Sequence, residues 1–431
     1  MKPIYRGALA SLALPMMAGV AHGEACRRAP VIVESWNLSK PLTLAQAVSR
    51  AGHASPEVLG AALEADAAVA DADQAGRRQN PALSIETENF AGTGGFQGFD
   101  TYETTFAIEQ TFRLGAKRSL SRKAALAEAK RAGAQCNVQR LDAQLLAGES
   151  FLRLQAAIGL AEIADASADL TDDFVEIVAR RVEAGAAAPP ELASAKAEAA
   201  ALKAVADKAD GEVEALALAL ASVWGASLVD FQLPARSENH VWGGISSEDT
   251  AASGHPRLTA ARAEMASRNA ATEQARAGAW PDVTVTAGVR QFEETGDSAF
   301  LAGVSLSLPV FDRNRDAARA AHLRAERAEL STKTVEARLQ AEQASLVARI
   351  RAARQSHERL ERDALPFAED AYASAVEGYR VGKFDLTTTL DARRRLIEIR
   401  ADLISSQLAL ETETLRLRAL IGAAPFEGVT Q

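Results

Sequence analysis

The chain has 431 residues, and its formal net charge of −9 at pH 7 argues against nucleic acid as the main partner. Apolar residues make up 48% of the chain, but aromatic residues make up only 5%. Alanine supplies much of the apolar share, and it forms helices readily while adding little core volume. This composition favours thin, closely packed helices over one large globular core.

The N-terminus has the pattern of a secretory signal peptide. Basic residues precede an apolar run from Ala8 to Val20, and the small residues Ala21 and Gly23 precede Glu24. This pattern predicts cleavage after residue 23, and the run is too short to span a bilayer. The alternative is a buried N-terminal helix.

The two cysteines, Cys26 and Cys136, would both remain after that cleavage. In an oxidising periplasm they could form a disulfide that ties the N-terminal segment to a long helix. Two unpaired thiols are an equal alternative. Lipidation of Cys26 also stays open, although the charged Glu24 makes a poor signal for it.

A tandem repeat is the main feature of the sequence. Four pairs of landmarks recur in the same order at a spacing of about 200 residues: Pro56 and Pro256, Pro81 and Pro281, Gly185 and Gly382, and Gly225 and Gly422. The predicted organisation is a signal peptide (1–23), an N-terminal extension (24–41), repeat 1 (42–225), a linker (226–254), repeat 2 (255–422) and a C-terminal tail (423–431).

Each repeat is predicted to contain a pair of very long helices. The segments 116–183 and 312–380 read as helical, with Pro366 marking a kink or a junction. The helices that follow carry apolar residues at heptad spacing, from Leu192 to Leu220 and from Thr389 to Leu417, which indicates an antiparallel coiled coil. About 65 helical residues would extend on the order of 100 Å.

Each repeat also contains two segments in which apolar and polar residues alternate. The predicted strands are 82–90, 101–113, 282–292 and 299–310. Each is long enough to cross a membrane at a tilt, and Phe106, Ile108, Val304 and Leu306 are the predicted lipid-facing residues. The alternative is a pair of soluble hairpins, each half-buried on the helices.

Four membrane strands cannot close a barrel, and open strand edges are not tolerated in lipid. The chain is therefore expected to oligomerise. Three copies would close a twelve-stranded barrel, although the sequence alone leaves a dimer open.

Several short motifs resemble one known family. A Leu-Thr-Leu-Ala-Gln-Ala-Val segment begins at Leu42, Asn80-Pro81 ends a helical segment, and Pro-Val-Phe-Asp-Arg-Asn begins at Pro309. Together with Leu390-Asp-Ala-Arg, they resemble the TolC-type outer-membrane factors over nearly the whole processed chain. The stretch at Pro309 and Arg181-Val-Glu-Ala-Gly are most similar to the branch that serves cobalt–zinc–cadmium efflux.

The resemblance implies a mixed α+β membrane protein that conducts substrates and catalyses no reaction. It implies a homotrimer whose twelve strands form one β-barrel in outer-membrane lipid and whose helices form an α-barrel in the periplasm. A periplasmic adaptor and an inner-membrane pump of the resistance-nodulation-division type would be its partners.

The resemblance also suggests where the adaptor docks, at the two helix–turn–helix tips. The matching residues are Gly185, Ala186 and Pro189 in the first tip and Val381, Gly382 and Lys383 in the second. Turn geometry alone would also explain the two glycines, because a glycine just past a helix end permits a left-handed cap.

The family's gate, an acidic constriction at the same end of the tube, corresponds here to Asp391, with Asp385 and Thr388 nearby. Thr388 stands where an acid is often found. Carboxylates brought together across a narrow pore concentrate cations. A solvated helix carboxylate is the equally weighted explanation of Asp391.

The sequence offers no pattern that favours an enzyme, a metal centre or a cofactor site. The six histidines are scattered, and Cys-x-x-Cys, Walker and nucleophile-elbow sequences are absent. Two alternatives remain. One is the same architecture serving drugs or type I protein secretion, and the other is a periplasmic coiled-coil adaptor or structural protein.

Overall fold

The computed structural model describes Cys26, residues 40–234 and residues 254–421. The predicted signal peptide, the C-terminal tail and most of the predicted linker lie outside these residues. The described part is mostly helical and contains one four-stranded sheet. None of its helices combines the length and the apolar composition that a bilayer crossing requires.

The elements of the two halves follow each other in the same order. The first half contains α1 (Leu44–Ala54), α2 (Pro56–Ala75), β1 (Ala82–Glu88), β2 (Glu103–Arg113), α3 (Lys117–Glu183) and α4 (Pro189–Ser222). The second half contains α5 (Pro256–Ala277), β3 (Asp282–Phe292), β4 (Ser298–Leu306), α6 (Arg315–Arg359), α7 (Leu365–Arg380) and α8 (Leu386–Ile421). Among these helices and strands of the described residues, α1 is the only one without a counterpart in the other half.

The strands form a single antiparallel sheet in the order β1-β2-β3-β4, so β2 of the first half pairs with β3 of the second. The prediction that the last strand continues to residue 310 was wrong, because β4 ends at Leu306. Leu306 pairs with Val283, which places Leu308 opposite Pro281. Proline has no N–H to donate, so the ladder stops there.

Three other strand boundaries also differ from the prediction, and one of them is the start of the last strand, at Ser298 rather than at residue 299. The first strand ends at Glu88 rather than at residue 90, because Asn89 adopts a left-handed conformation with φ 62°. The second begins at Glu103 rather than at residue 101.

The two long helical columns differ in one respect. In the first half, α3 is a single helix of 67 residues. In the second half, a π-helical turn at Leu360–Ala364 separates α6 from α7. Pro366 lies in the first turn of α7, where its missing N–H leaves a carbonyl of the preceding turn without its helical partner. The predicted junction at Pro366 is therefore confirmed.

The helix α3 is the centre of the packing and contacts α1, α2, α4, α5 and α8. The largest core cluster contains Phe151 of α3, Leu220 of α4 and Leu415 of α8, each 2% exposed or less. A disulfide joins Cys26 to Cys136 of α3, with 5.8 Å between their Cα atoms. Of the two alternatives for these cysteines, the structure has the bridge.

Candidate functional site

The two faces of the four-stranded sheet differ sharply in chemistry. Residues that pair across antiparallel strands share a face, so the register assigns every strand residue to one side. One face carries the following side chains: Leu83, Ile85, Thr87, Thr104, Phe106, Ile108, Gln110, Phe112, Val283, Val285, Ala287, Val289, Gln291, Ser298, Phe300, Ala302, Val304 and Leu306. None of them is charged.

The apolar face contains all four of the predicted lipid-facing residues. Phe106 and Ile108 are 46% and 57% exposed, and Val304 and Leu306 are 74% and 47% exposed. Within the described residues no other element covers this face at these positions. An exposed apolar face of this size is unfavourable in water and favourable in lipid.

The opposite face carries all the charged residues of the four strands. They are Glu86, Glu88, Glu103, Glu109, Arg113, Asp282 and Arg290. Arg290 donates to Glu103 at 2.9 Å and to Thr105 at 2.9 Å, and its second terminal nitrogen lies 3.1 Å from Glu88. Five carboxylates and two guanidinium groups make this face net acidic.

The first helical tip connects α3 to α4. Gly185 has φ +71°, a left-handed conformation that glycine adopts without steric cost. The N–H of Ala186 donates to the carbonyl of Arg181 at 2.8 Å, which closes a Schellman-type helix end. Pro189 begins α4, and Glu191 accepts from the N–H of Ala188 at 3.1 Å.

The second tip connects α7 to α8 with the same geometry. Gly382 has φ +77°, and the N–H of Lys383 donates to the carbonyl of Gly378 at 2.7 Å. A Cβ added at Gly378 would lie 2.2 Å from the Phe384 ring, so a side chain there would displace the ring. Val381 is 54% exposed at the turn.

The structure brings the two tips together through Arg181, Tyr379 and Glu191, to which the sequence patterns assigned no role in joining the tips. The Arg181 guanidinium lies 4.3 Å from the centroid of the Tyr379 ring and donates to the Tyr379 carbonyl. The Tyr379 hydroxyl donates to Glu191 at 3.0 Å. Burial, and then this hydrogen bond, raise the pKa of Tyr379 to about 12. An open cavity of about 390 Å³ lies between Arg181, Tyr379 and Phe384.

The three predicted gate residues lie in the first turns of α8. Asp385 accepts from the N–H of Thr388 at 2.8 Å, so it caps the helix. Hydrogen bonds from the Thr388 side chain, and then from its backbone, lower the pKa of the Asp385 carboxyl group. Asp391 lies 3.3 Å from Arg394, and both side chains are more than half exposed. Asp391 therefore remains open to solvent, whereas Asp385 already has a structural role.

Two residues after Asp391, α8 carries a buried arginine. The Arg393 side chain is 3% exposed, donates to Thr171 of α3 at 2.6 Å and lies 2.8 Å from Glu198 of α4. Its Nε has no hydrogen-bond partner. The sequence did contain a signal, because Arg393 falls between Thr389 and Leu396 on the same helical stripe, where an apolar residue is expected.

A buried carboxylate lies farther along α8. Glu411 is 7% exposed, and Gln407 donates to it at 3.1 Å. Burial raises the pKa of Glu411 to about 7. A small cavity beside it is lined by α3 and α8 residues, none of them charged except Glu411 itself.

In the described part of the chain, no group of three or more histidine, cysteine or carboxylate side chains is arranged to hold a metal ion. His255 caps α5 by accepting from the N–H of Arg257 at 3.1 Å, and burial lowers its pKa. His22 and His240 lie outside the described residues.

Comparison with known proteins identifies the class of molecule. A family model described as outer membrane efflux protein matches residues 249–423. The second half of the chain therefore resembles this family. It is 28% identical over 375 residues to the cobalt-zinc-cadmium resistance protein CzcC of Cupriavidus metallidurans, a match that covers 84% of this chain and 85% of that protein. It is 27% identical to the nickel-cobalt-cadmium resistance protein NccC of Alcaligenes xylosoxydans, over 69% of this chain and 68% of that one.

Solved structures share the fold of this chain. The outer membrane protein VceC of Vibrio cholerae superimposes with a TM-score of 0.73 at 22% sequence identity, over 89% of this chain and 97% of that one. Family and fold together assign the protein to the outer membrane, with its helical part in the periplasm.

Proposed function

We propose that this protein is one third of an exit duct that carries heavy-metal cations out of the cell. The observation that carries the proposal is the division of the sheet into an uncharged apolar face and a charged face. Such a sheet is suited to lipid on one side and water on the other.

The proposed assembly is a homotrimer. The edge strands β1 and β4 are paired on one side only within the chain, and unpaired strand edges are not stable in lipid. Three copies would join β4 of one chain to β1 of the next and close a twelve-stranded barrel. The equivalent element order of the two halves supports a tandem repeat and a continuous helical tube below the barrel.

The proposed cargo is a divalent transition-metal cation. The names of the relatives CzcC and NccC refer to resistance to cobalt, zinc, nickel and cadmium. The net acidic face of the sheet would line the lumen of the barrel and favour cations over anions. Asp391, exposed on α8, is the proposed acidic residue of the periplasmic gate.

The proposed partners are a periplasmic adaptor and an inner-membrane pump. The two tips, with Gly185, Ala186 and Pro189 in one and Val381, Gly382 and Lys383 in the other, form the proposed docking surface. At 1.5 Å per residue, α3 would place the tips on the order of 100 Å from the sheet, which supports a docking surface deep in the periplasm.

Deletion of the gene tests the proposed cargo. We expect the deletion strain to become more sensitive to cobalt, zinc or cadmium, with resistance restored by the full chain and reduced for the Asp391→Asn variant. The same strain should show unchanged sensitivity to hydrophobic drugs. A strain that loses drug resistance but keeps metal resistance would contradict the metal cargo and leave the duct intact.

A further inference from the structure

The two ends of the sheet carry opposite charges. All four strand–helix connections lie at one end, because β1 and β3 begin there and β2 and β4 end there. The exposed arginines at this end include Arg77, Arg78, Arg118, Arg313, Arg315 and Arg319. We call these six residues the basic collar. The hairpin end contains Asp100, Glu293, Glu294 and Asp297, and its two loops contain no lysine or arginine.

Two arginines of the basic collar make long hydrogen bonds to the backbone: Arg118 donates to the Gly76 carbonyl and Arg313 to the Pro309 carbonyl, each at 3.4 Å. None of the six forms an ion pair with a carboxylate in the part of the chain that the structure describes, although many arginines farther along the helices do, such as Arg349 and Arg400. Few carboxylates lie near the collar, and two of these already have partners. Asp312 accepts from the N–H of Asn314 at 2.8 Å and Asp282 pairs with Lys117 at 2.7 Å, which leaves Asp316 exposed in the first turn of α6.

Apolar side chains project beside the collar. Phe311 is fully exposed, Leu308 is 71% exposed and Val310 is 61% exposed. A shallow cavity of about 530 Å³ extends along residues 310–317, so that Phe311, Arg313 and Arg315 all line it. An exposed aromatic ring beside unpaired guanidinium groups suits the boundary between acyl chains and charged headgroups.

We propose that the basic collar binds the phosphate groups of anionic phospholipids in the inner leaflet of the outer membrane, with Phe311 in the acyl chain region. Guanidinium groups bind phosphate oxygens through paired, charge-assisted hydrogen bonds. The position at the helix end of the strands selects the periplasmic leaflet. This inference depends on the proposed membrane insertion of the sheet, and it adds a lipid class and the residues that bind it.

The test compares two variants of the full chain, each lacking three arginines of α6 or of the turn that precedes it. The collar variant carries Arg313→Gln, Arg315→Gln and Arg319→Gln. The control variant carries Arg338→Gln, Arg351→Gln and Arg354→Gln, which are exposed on the same helix but far from the strands. Each protein is reconstituted at low salt into phosphatidylcholine vesicles with and without phosphatidylglycerol, and the retained lipid is measured by native mass spectrometry.

We expect the wild-type protein and the control variant to retain phosphatidylglycerol in preference to phosphatidylcholine. The collar variant should insert as well but lose this preference, by roughly fivefold for each arginine removed. Equal retention of both lipids by the wild-type protein would overturn the proposal while leaving the duct intact. A collar variant that separates into single chains would also overturn it, since the arginines would then belong to the contact between copies. Failure of every protein to insert into either vesicle would instead count against the proposed function.

Discussion

Arg393 occupies a position on the inner stripe of α8 where an apolar residue would normally pack. Its guanidinium reaches Thr171 of α3 and Glu198 of α4, so one buried charge connects three helices near the periplasmic tips. A buried ion pair contributes little compared with an apolar pair, but breaking it from one side is costly. Removing Glu198 and removing Arg393 should therefore have unequal effects on stability.

We expect Glu198→Gln to destabilise the protein more than Arg393→Met. The first change leaves the buried guanidinium without a compensating charge, at a cost of about 2–3 kcal/mol per protomer once the partial exposure of Glu198 is considered. In Arg393→Met the remaining carboxylate costs less, because Glu198 is 33% exposed and can be hydrated. Thr171 also keeps its hydrogen bond to the Ser167 carbonyl at 2.7 Å. The midpoint of thermal unfolding measures both, and a larger loss for Arg393→Met would contradict this account.

Glu411 predicts a pH dependence of stability. Its pKa in the folded chain is about 7, compared with 4.5 for the unperturbed side chain. Between these values the folded state holds a proton that the unfolded state has lost. The stabilisation of the folded state by protonated Glu411 is therefore fully present below about pH 4.5 and is lost as the pH rises through 7.

The corresponding variant is Glu411→Gln, which keeps the shape of the side chain and removes the titration. Between pH 5 and pH 8, the free energy of unfolding of the wild-type protein should fall by about 2–3 kcal/mol per protomer more than that of the variant. Thermal unfolding of both proteins across this range gives the comparison. Parallel pH profiles would show that Glu411 is charged in the folded chain.

At the scale of the element, the sheet is the part that the sequence predicted best. Strict alternation identifies a strand and the face of each residue, so Phe106, Ile108, Val304 and Leu306 could be assigned together. The end of β4 was missed because it depends on its partner. Leu308 and Val310 continue the alternation of β4, but Pro281 across the ladder cannot donate to them.

Adjacent residues of β4 provide a direct test of the two faces. Val304→Lys places a charge on the apolar face, where an ammonium group near the bilayer centre costs about 2–4 kcal/mol. Ser305→Lys places the same charge on the opposite face, where water would solvate it. We expect only the Val304 variant to accumulate poorly in the outer-membrane fraction. Equal accumulation would mean that this face does not contact lipid.

The tips show what a sequence repeat can and cannot predict. The 197-residue spacing of Gly185 and Gly382 predicted two equivalent turns, and both glycines have positive φ. The contacts of Arg181 with Tyr379 and of Tyr379 with Glu191 connect residues almost 200 positions apart in the chain. Heptad patterns define which face of a helix is buried, but they do not identify its partner helix. These contacts therefore required the structure.

At the scale of the whole molecule, the proposed duct needs more than one copy of the chain. Its sheet has two open edges and one exposed apolar face. The Cys26–Cys136 bridge attaches the N-terminal segment to α3, and the largest core joins α1, α3, α4 and the end of α8. These features stabilise one protomer, whereas closure of a tube needs further copies.

The mass of the complex extracted from the outer-membrane fraction tests this claim most directly. Native mass spectrometry of the unheated protein in mild detergent should give three times the mass of the processed chain, and heating should convert it to single chains. A single chain recovered from the soluble periplasmic fraction, or a complex of two copies, would contradict the proposed duct.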